Sequence, residues 1–546
     1  MSWYNEQRVS QPGSVILNAF VAQQQAARQA KTGKRSYAGA AVNRLTSDWT
    51  ALQTSADSEI LTSLRLLRSR SRQMVRDNAH ARNAVRIVQN NVVGQGIGLQ
   101  ATVANARGAL QEKTNSAIET AWLKWTEKTT CHTAGLLALP EMLRLAAGQL
   151  VEAGEVLIRK VRKQMGGGQI PLALEVIEAD RLMDQWQTAV NPETGNAIRM
   201  GVESDTWGRP VAYWLWPTHP GDYQFKTFIP SKFLRIPADE IIHLYIIERW
   251  PQTRGVPWFH AVLRRMNDMA GYTEAEIVAA RASAAIVGFI KSPEAEPGDE
   301  AEGDDAITTF EPGTIKSLLP GEEFQGFNPT RPNSALEPFM RYMLREMAAG
   351  VGTSYESLSR DYSQSNYSSS RLALLDDRDL WRVLQGWMIR SLLVDVYREW
   401  LDAAVLCGAV PIADYYSNRE KYQSCRFKPR GWSWIDPTKE VNAYRLAVRA
   451  GFMTVDDVIS ITGGGVDSED VFKARRQELD LMGELELVFD TDPAQVNDKG
   501  QVQAATPENA ADSDPNESPS QEMDEADPEQ GSAADDVAAD QTTGDQ

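Results

Sequence analysis

The sequence of 546 residues is poor in cysteine and histidine, with three of the former and five of the latter. The widely spaced Cys131, Cys407 and Cys425 provide neither a disulfide framework nor a zinc cluster, which fits synthesis in a reducing cytosol. No apolar run approaches the roughly 20 residues needed to span a membrane, and the polar N-terminus lacks the apolar core of a signal peptide. We therefore expect a large soluble protein of several domains.

Motifs of common enzyme classes are also missing. The nearest approach to a phosphate-binding loop, AKTGKRS, has Arg35 where serine or threonine is required and lacks the earlier glycine. GQGIG at 94–98 follows a predicted helix, whereas the dinucleotide-binding motif follows a strand, so we interpret it as a helix end and a turn. His243, within EIIHLYII, is interpreted as a core histidine with a satisfied hydrogen bond. The sequence predicts no catalytic residue, metal site or cofactor.

Negative charge is concentrated at the C-terminus. The net charge is −18, but residues 490–546 hold 16 acidic residues against the single base Lys499, so this tail carries −15 and the rest of the chain −3. Such a polar, acidic composition cannot bury enough apolar surface to offset its ordering entropy, which predicts a disordered tail. A second acidic segment, 294–305, is predicted to be a solvated loop.

Hydrophobic periodicity predicts a chain of the α+β class. A Gln-, Ala- and Ser-rich arm at 1–60 precedes the regular structure, and 155–250 is predicted to be mostly β, beginning with a hairpin. The expected helices cover 61–93, 109–129, 140–152, 257–290, 335–350, 372–406, 437–450, 454–461 and 467–486. The helix at 372–406 carries an apolar stripe of Trp381, Leu384, Met388, Leu392, Val396 and Trp400, so much of it should be buried.

The first predicted helix is rich in arginine. Within 22 residues it places Arg65, Arg68, Arg70, Arg72, Arg76, Arg82 and Arg86 against the single acid Asp77. Arg65, Arg68 and Arg72 are three and four residues apart and so share one face. Two interpretations stay open. One is a solvated face or a set of salt bridges between subunits, and the other is contact with a polyanion such as DNA.

Four segments of the sequence resemble the lambda-type family of bacteriophage portal proteins. They are RSRSRQMVRDNAHARNAVRIVQNNVVGQGI, then QTRGVPWFHAVLRRMNDMAGYTEAEI, which begins with Gln252, Arg254 and Gly255, then LLPGEEF, and finally LREMAAGVGTSYESLSRDYSQSNYSSSR at 344–371. They occur in the family's order between about 60 and 410. The arm and the acidic tail lie outside the resemblance.

The resemblance implies a portal fold that assembles as a dodecameric ring at one capsid vertex of the virion. Double-stranded DNA would pass through its channel during packaging and ejection, and the implied protein partners are the terminase, the major capsid and scaffold proteins, and the head–tail connector proteins. No membrane and no enzymatic activity are implied. The family's layout divides the chain into an arm (1–60), wing (61–256), stem helix (257–290), clip (291–334), second stem helix (335–352), tunnel-loop region (353–371), long channel and wing helix (372–410), crown and return helices (411–489) and acidic tail (490–546).

The same resemblance assigns the hydroxyl-rich stretch at 359–370 to the loop that faces the channel. Its predicted DNA-facing residues are Arg360, Ser363, Gln364, Ser365, Asn366, Tyr367, Ser368 and Arg371. A channel must hold DNA without binding it tightly. Neutral side chains avoid the cumulative phosphate binding that a ring of lysine or arginine side chains would produce. The alternative is a turn that touches only protein. Two other functions also stay open at this point, a virion scaffold without a channel and a packaging enzyme such as a terminase or nuclease.

Overall fold

The computed structural model describes residues 44, 47–48, 51, 53–105, 107–222, 233–285, 288–291, 323–326, 335–432, 437–462 and 467–489. Most of the arm, the acidic segment 294–305 and the tail from residue 490 lie outside this part of the chain, so the predictions for them stay predictions. The chain divides into two units, Met1–Ser468 and Glu469–Gln546. The second unit contributes most of the last described helix, Ser468–Glu484.

Helices dominate the described residues. They are α1 (Ala56–Asp77), α2 (Ala79–Val88), α3 (Glu112–Trp125), α4 (Lys128–Cys131), α5 (Leu139–Glu152), α6 (Leu263–Ala285), α7 (Leu336–Val351), α8 (Tyr355–Ser359), α9 (Tyr367–Met388), α10 (Val394–Leu406), α11 (Arg419–Tyr422), α12 (Pro437–Arg449), α13 (Val455–Thr462) and α14 (Ser468–Glu484). The three helices predicted after residue 436 are confirmed as α12 to α14.

The strands form small antiparallel sheets. They are β1 (Gly98–Ala101), β2 (Glu155–Val161), β3 (Ala173–Ile177), β4 (Ala197–Arg199), β5 (Val202–Ser204), β6 (Pro210–Leu215), β7 (Leu234–Pro237), β8 (Ile241–Tyr245), β9 (Gly288–Lys291), β10 (Glu323–Gly326) and β11 (Cys425–Lys428). The sheet orders are β3-β2-β8, β4-β5-β6-β7, β1-β11 and β9-β10. The hairpin predicted from residue 155 is confirmed, with Leu157 opposite Ile177 and Val161 opposite Ala173. The protein is therefore a mixed helix and sheet fold, as predicted.

Two predicted helices have different limits in the structure. The helix expected over 61–93 is broken at Asn78, whose backbone is extended and whose side-chain oxygen accepts hydrogen bonds from the backbone N–H groups of His80 and Ala81. Asparagine is among the best helix N-caps, so it starts a new helix here. The helix expected over 257–290 begins with a 3₁₀ turn and ends at Ala285, and the chain then forms β9, which pairs with β10.

The long helix from Tyr367 to Leu406 contributes many buried residues to the main hydrophobic core. It comprises α9, a π-helical turn at Ile389–Leu393 and α10. All six residues of the predicted stripe are buried, which confirms that prediction. Near its C-terminal end, the Trp400 ring meets the Trp122 ring edge to face at 5.0 Å between centroids. Aromatic pairs of this geometry add about 0.5–1.5 kcal/mol beyond the burial of their area.

A buried ionic cluster ties the helices to the sheets. Glu155, the first residue of β2, is fully buried and accepts hydrogen bonds from Arg254 Nε at 2.9 Å, Arg68 Nη2 at 2.7 Å and the backbone N–H of Gly255 at 2.9 Å. His243 Nε2 lies 3.0 Å from the same carboxylate, which confirms its interpretation as a core histidine. Burial raises the pKa of Glu155, but Arg254, His243 and Arg68 outweigh it and hold that pKa well below its usual range.

The buried His243 predicts a loss of stability in mild acid. Burial lowers the pKa of this imidazole, so below about pH 6.5 the unfolded chain binds a proton that the folded chain does not. The free energy of unfolding should therefore fall as the pH drops from 7 to 5, by up to about 1.4 kcal/mol per pH unit. Urea unfolding at several pH values measures this slope. His243→Gln should flatten it, whereas His260→Gln, at an exposed site, should leave it unchanged, and equal slopes in all three proteins would contradict the assignment.

Candidate functional site

The connection between α7 and the long helix is shorter than the sequence predicts. α7 ends at Gly352 in the left-handed conformation (φ 76°), and the Ser354 side chain caps α8. Arg360, also left-handed (φ 61°), ends α8, and Asn366 caps α9 by accepting a hydrogen bond from the Ser369 N–H at 2.8 Å. The non-helical stretch that leads into α9 is therefore 360–366 and not 359–370. We call residues 360–366 the connecting loop.

This boundary corrects the placement of three predicted loop residues. Tyr367, Ser368 and Arg371 belong to the first turns of α9 and not to a loop. The physical reason is the Asn-x-x-Ser sequence, in which Asn366 and Ser369 cap each other's backbone N–H groups, so the helix starts as soon as the cap is in place. The side chain of Tyr367 lies outside the described part of the chain.

Asp361 organises the connecting loop. Its carboxylate accepts hydrogen bonds from the Tyr355 hydroxyl at 2.6 Å, the Ser363 hydroxyl at 2.6 Å and the Ser363 N–H at 3.0 Å. The hydrogen bonds from Ser363 and Tyr355 lower the pKa of Asp361 to about 2. Ser365 bonds through its hydroxyl and its N–H to the carbonyl of Tyr362. The loop therefore has a defined shape. The hydroxyls of Ser363 and Ser365, which were predicted to face DNA, donate hydrogen bonds within the loop.

The outer surface of the loop remains neutral and polar. Tyr362, Ser363, Gln364 and Asn366 are exposed, as is Ser368 at the start of α9. Residues 362–370 contain no charged side chain. The exposed Arg360 donates a long hydrogen bond of 3.4 Å to the side-chain oxygen of Asn83, and Arg371 is half-buried. The loop can thus offer hydrogen bonds to a polar ligand without a concentrated positive charge.

Both ends of the loop are fixed to rigid elements. The side-chain amide of Asn83 in α2 donates to the carbonyls of Ser357 and Leu358 at 3.0 and 2.8 Å. On α9, the buried Asp377 accepts hydrogen bonds from the N–H and hydroxyl of Ser354 and from the Ser357 hydroxyl at 2.7–3.0 Å. Burial raises the pKa of Asp377, and these hydrogen bonds oppose the rise. The position of α8, and with it the loop, is set by helices on both sides.

The arginine-rich helix α1 does not present the predicted basic face. Arg68 is only 1% exposed and binds Glu155 and Asp180, so its prediction as a contact to another subunit or to DNA is wrong. Arg72 also pairs with Asp180, and the two arginines outweigh burial and lower the pKa of that carboxyl to about 2. Two further arginines of this helix also have carboxylate partners, Arg65 with Asp184 and Arg76 with Asp77.

Of the five arginines predicted on α1 as contacts, Arg70 alone is exposed and without an ion pair among the described residues. Arg65, Arg72 and Arg76 form ion pairs with carboxylates of the same chain. The acidic partners of Arg65, Arg68 and Arg72 come from 155–184, more than 80 residues away in sequence, so the helix pattern alone gave no sign of them. Four of the five arginines on α1 therefore have carboxylate partners among the described residues, and contact of the exposed ones with another subunit or with DNA stays a prediction.

One group of potential metal ligands occurs among the described residues: Glu178, Asp180 and His219. Its chemistry does not favour a metal. The Nδ1 atom of His219 accepts a hydrogen bond from the Gly221 N–H, so in the neutral ring Nε2, the atom that faces the carboxylates, carries the proton. Arg72 also neutralises both carboxylates. The group is better explained as an ion-pair network.

None of the described helices combines the length and the apolar character that spanning a bilayer requires.

Sequence reasoning missed the residues that shape the loop. No role in holding the connecting loop and α8 in place was predicted for Asp361, Asp377 or Asn83. Two signals were present: Asp361 stands two residues before Ser363, the spacing of an Asx turn, and Asn366 stands three before Ser369, the spacing of a helix cap. The long-range partners of α8, Asn83 and Asp377, have no such local signal.

Comparison with known proteins gives a consistent result. Residues 42–385 match the family described as phage portal protein, lambda family. A probable portal protein of Halomonas phage phiHAP-1 is 30% identical over 467 residues, which cover 83% of this chain and 88% of that protein. Portal protein B of Escherichia phage lambda is 22% identical, with 79% of this chain and 86% of that protein covered.

Among solved structures, a chain from the neck of a native GTA particle, computed with C12 symmetry, is 14% identical and covers 71% of this chain and 92% of its own length, with a TM-score of 0.38. The family assignment depends instead on the match over 344 residues (42 to 385), which is more than half of the chain. The chain therefore belongs to the lambda family of phage portal proteins.

Proposed function

We propose that copies of this chain assemble into a dodecameric ring at one vertex of a viral capsid, and that double-stranded DNA passes through the ring during packaging and ejection. Membership in the lambda portal family is the observation that carries this proposal. Portal proteins are structural rather than catalytic, which also supports a role as a conduit. The proposed partners are the terminase, the major capsid and scaffold proteins, and the head–tail connector proteins.

The proposal assigns parts of the ring to elements of the fold. The stem consists of α6 and α7, and β9 and β10 begin and end the clip. The wing holds α1 to α5 and the sheets of 155–250, and the crown holds the helices after 411. The connecting loop lines the channel, supported by its position between α7 and the long helix.

The neutral surface of the loop explains how a ring can hold DNA without stalling it. Each lysine or arginine that contacts a DNA phosphate releases counterions, and such contacts accumulate around a ring of about twelve subunits. Residues 362–370 supply hydrogen bonds from hydroxyl and amide groups but no positive charge. Weak contacts from every subunit then add together while each one is quickly broken.

Adding one positive charge per loop tests this role. Gln364 is exposed and has no side-chain hydrogen bond among the described residues, so Gln364→Arg should leave the fold intact. In a ring of about twelve subunits, the added charges should slow or arrest packaging at about 50 mM salt and restore much of the rate at about 200 mM, because phosphate contacts weaken steeply with salt. A packaging assay that measures DNA length per particle gives the readout.

Gln364→Asn is the matched control, since it keeps a neutral amide at the same position, and it should package as the parent does. Negative-stain images of each purified protein confirm ring formation before the assay. If Gln364→Arg packages DNA at the parental rate at low salt, the loop does not face the DNA. If the parent protein forms no ring with a central hole, the proposed function itself fails.

A further inference from the structure

A groove with an apolar floor and an acidic rim runs along α9 beside the segment that joins α7 to α8. It has a volume of about 690 Å³. Ala349, Leu380 and Val383 provide apolar surface, and Val383 is 66% exposed. Large apolar residues on a charged, solvent-facing helix indicate a covered surface when they are grouped. The same helix also exposes Leu372, which is 71% exposed and directly precedes Ala373, a residue that lines the groove.

Polar groups in the groove lack partners within the described residues. Thr353 is 8% exposed, and its buried hydroxyl has no hydrogen-bond partner there. Glu356 and Asp376 line the groove as carboxylates without a side-chain ion pair in the same part of the chain. No lysine or arginine lines it. A buried hydroxyl without a partner is costly, and a donor from outside the chain would satisfy it.

A complementary surface lies on α2. Arg82 and Arg86 are four residues apart, so they share a face of this helix, and both are exposed. Neither forms a side-chain ion pair or hydrogen bond with a described residue. Guanidinium groups are the preferred partners of carboxylates because their N–H groups match the carboxylate oxygens in pairs, and they can also donate to a hydroxyl.

Both surfaces adjoin the same short helix. The groove includes Tyr355 and Glu356 of α8, and α2 holds α8 through the bonds from Asn83 to the carbonyls of Ser357 and Leu358. The acidic groove and the basic face are therefore at a similar level of the subunit. In a closed ring, each copy offers one surface to the next copy and a different surface to the previous one, and the two must lie at the same level along the axis.

We infer that the groove binds a second copy of this chain, with Arg82 and Arg86 of one subunit entering the groove of its neighbour against Glu356, Asp376 and Thr353. The inference rests on the proposed ring. It places an intersubunit contact beside the connecting loop, so that assembly and loop position are coupled. DNA is not a suitable occupant, since carboxylates at the rim repel phosphate.

Charge reversal on each surface tests the contact. Glu356→Lys with Asp376→Lys reverses the groove, and Arg82→Glu with Arg86→Glu reverses the face. Each pair of changes alone should lower the fraction of protein in rings about tenfold or more, because like charges then oppose each other in every interface. The four changes together should restore the ring fraction to within about twofold of the parent. Sedimentation velocity and negative-stain imaging measure this fraction.

Arg107→Glu and Glu420→Lys are matched controls, since each reverses an exposed side chain without an ion pair among the described residues, and both should form rings normally. Thermal unfolding of each variant shows whether its subunit is folded. If the reversed variants assemble as well as the parent, the contact does not exist. If each reversal abolishes rings but the combination does not restore them, the two surfaces bind something other than each other, and the inference is overturned. A parent protein without rings would instead reject the proposed function.

Discussion

Glu155→Ala is expected to lower the free energy of unfolding by about 3–5 kcal/mol, the range for removing one partner of a buried ion pair. The Glu155 carboxylate is fully buried and accepts hydrogen bonds from both Arg68 and Arg254. Arg68 would retain Asp180, but Arg254 would be left with the carbonyls of Met200 and Ala179 as its acceptors. An uncompensated guanidinium at a position with no exposure is the source of the loss.

The size of this effect separates a buried cluster from an ordinary ion pair. Asp239→Ala removes a carboxylate that is 65% exposed and pairs with Arg162, and it should cost less than about 1 kcal/mol. Replacing both Glu155 and Arg254 by methionine should cost less than Glu155→Ala alone, because it leaves one charge fewer unpaired. Urea unfolding monitored by tryptophan fluorescence measures all three variants. A loss below about 1 kcal/mol for Glu155→Ala would show that water or rearrangement replaces the carboxylate.

Local patterns predicted much of the fold. The apolar stripe of the long helix, the hairpin from residue 155 and the three C-terminal helices follow from periodicity and turn residues within a short window, and all are present. From Leu384 to Trp400 the stripe residues are four apart, which exceeds the 3.6 residues of an α-helical turn, so a straight helix would rotate the stripe out of the core. The π-helical turn at Ile389–Leu393 holds more residues per turn and keeps Met388, Leu392 and Val396 in line.

Long-range electrostatics decided what the sequence could not predict. The sequence around α1 predicts a basic face without ion pairs. The carboxylates that pair with its arginines, Glu155, Asp180 and Asp184, lie in the β-rich part of the chain, where the helical pattern of α1 gives no information. The connecting loop was placed correctly between two helices by its serine content. Its true limits depended on two caps, Arg360 and Asn366, and its support depended on Asn83 and Asp377, whose contacts only the folded chain brings together.

The QTRG segment gains a physical explanation beyond Arg254. The backbone at Gly255 is in close contact with the backbone at Gly154, which lies in the connection between α5 and β2. A Cβ at Gly255 would lie 2.1 Å from the carbonyl oxygen of Gly154, and a Cβ at Gly154 would lie 2.2 Å from the carbonyl carbon of Val256. Gly154 also has a left-handed backbone, with φ at 84°. This contact between two backbones holds the Arg254 side chain against Glu155.

Gly154→Ala should therefore cost about 4 kcal/mol or more, since it combines a left-handed backbone with a clash that only a backbone shift can relieve. Gly255→Ala should cost about 3 kcal/mol, because it introduces the clash alone. Gly408→Ala is the matched control for conformation: its φ is 76°, no atom lies within 4 Å of the added Cβ, and the expected cost is about 1–2 kcal/mol. Urea unfolding and the yield of folded protein provide the measurements. Equal losses in the free energy of unfolding for Gly154→Ala and Gly408→Ala would mean that the segments around 154 and 255 separate at little cost. In that case Gly154→Ala should also weaken the Glu155 cluster. Glu155→Ala would then cause a smaller further loss in the Gly154→Ala background than in the parent protein.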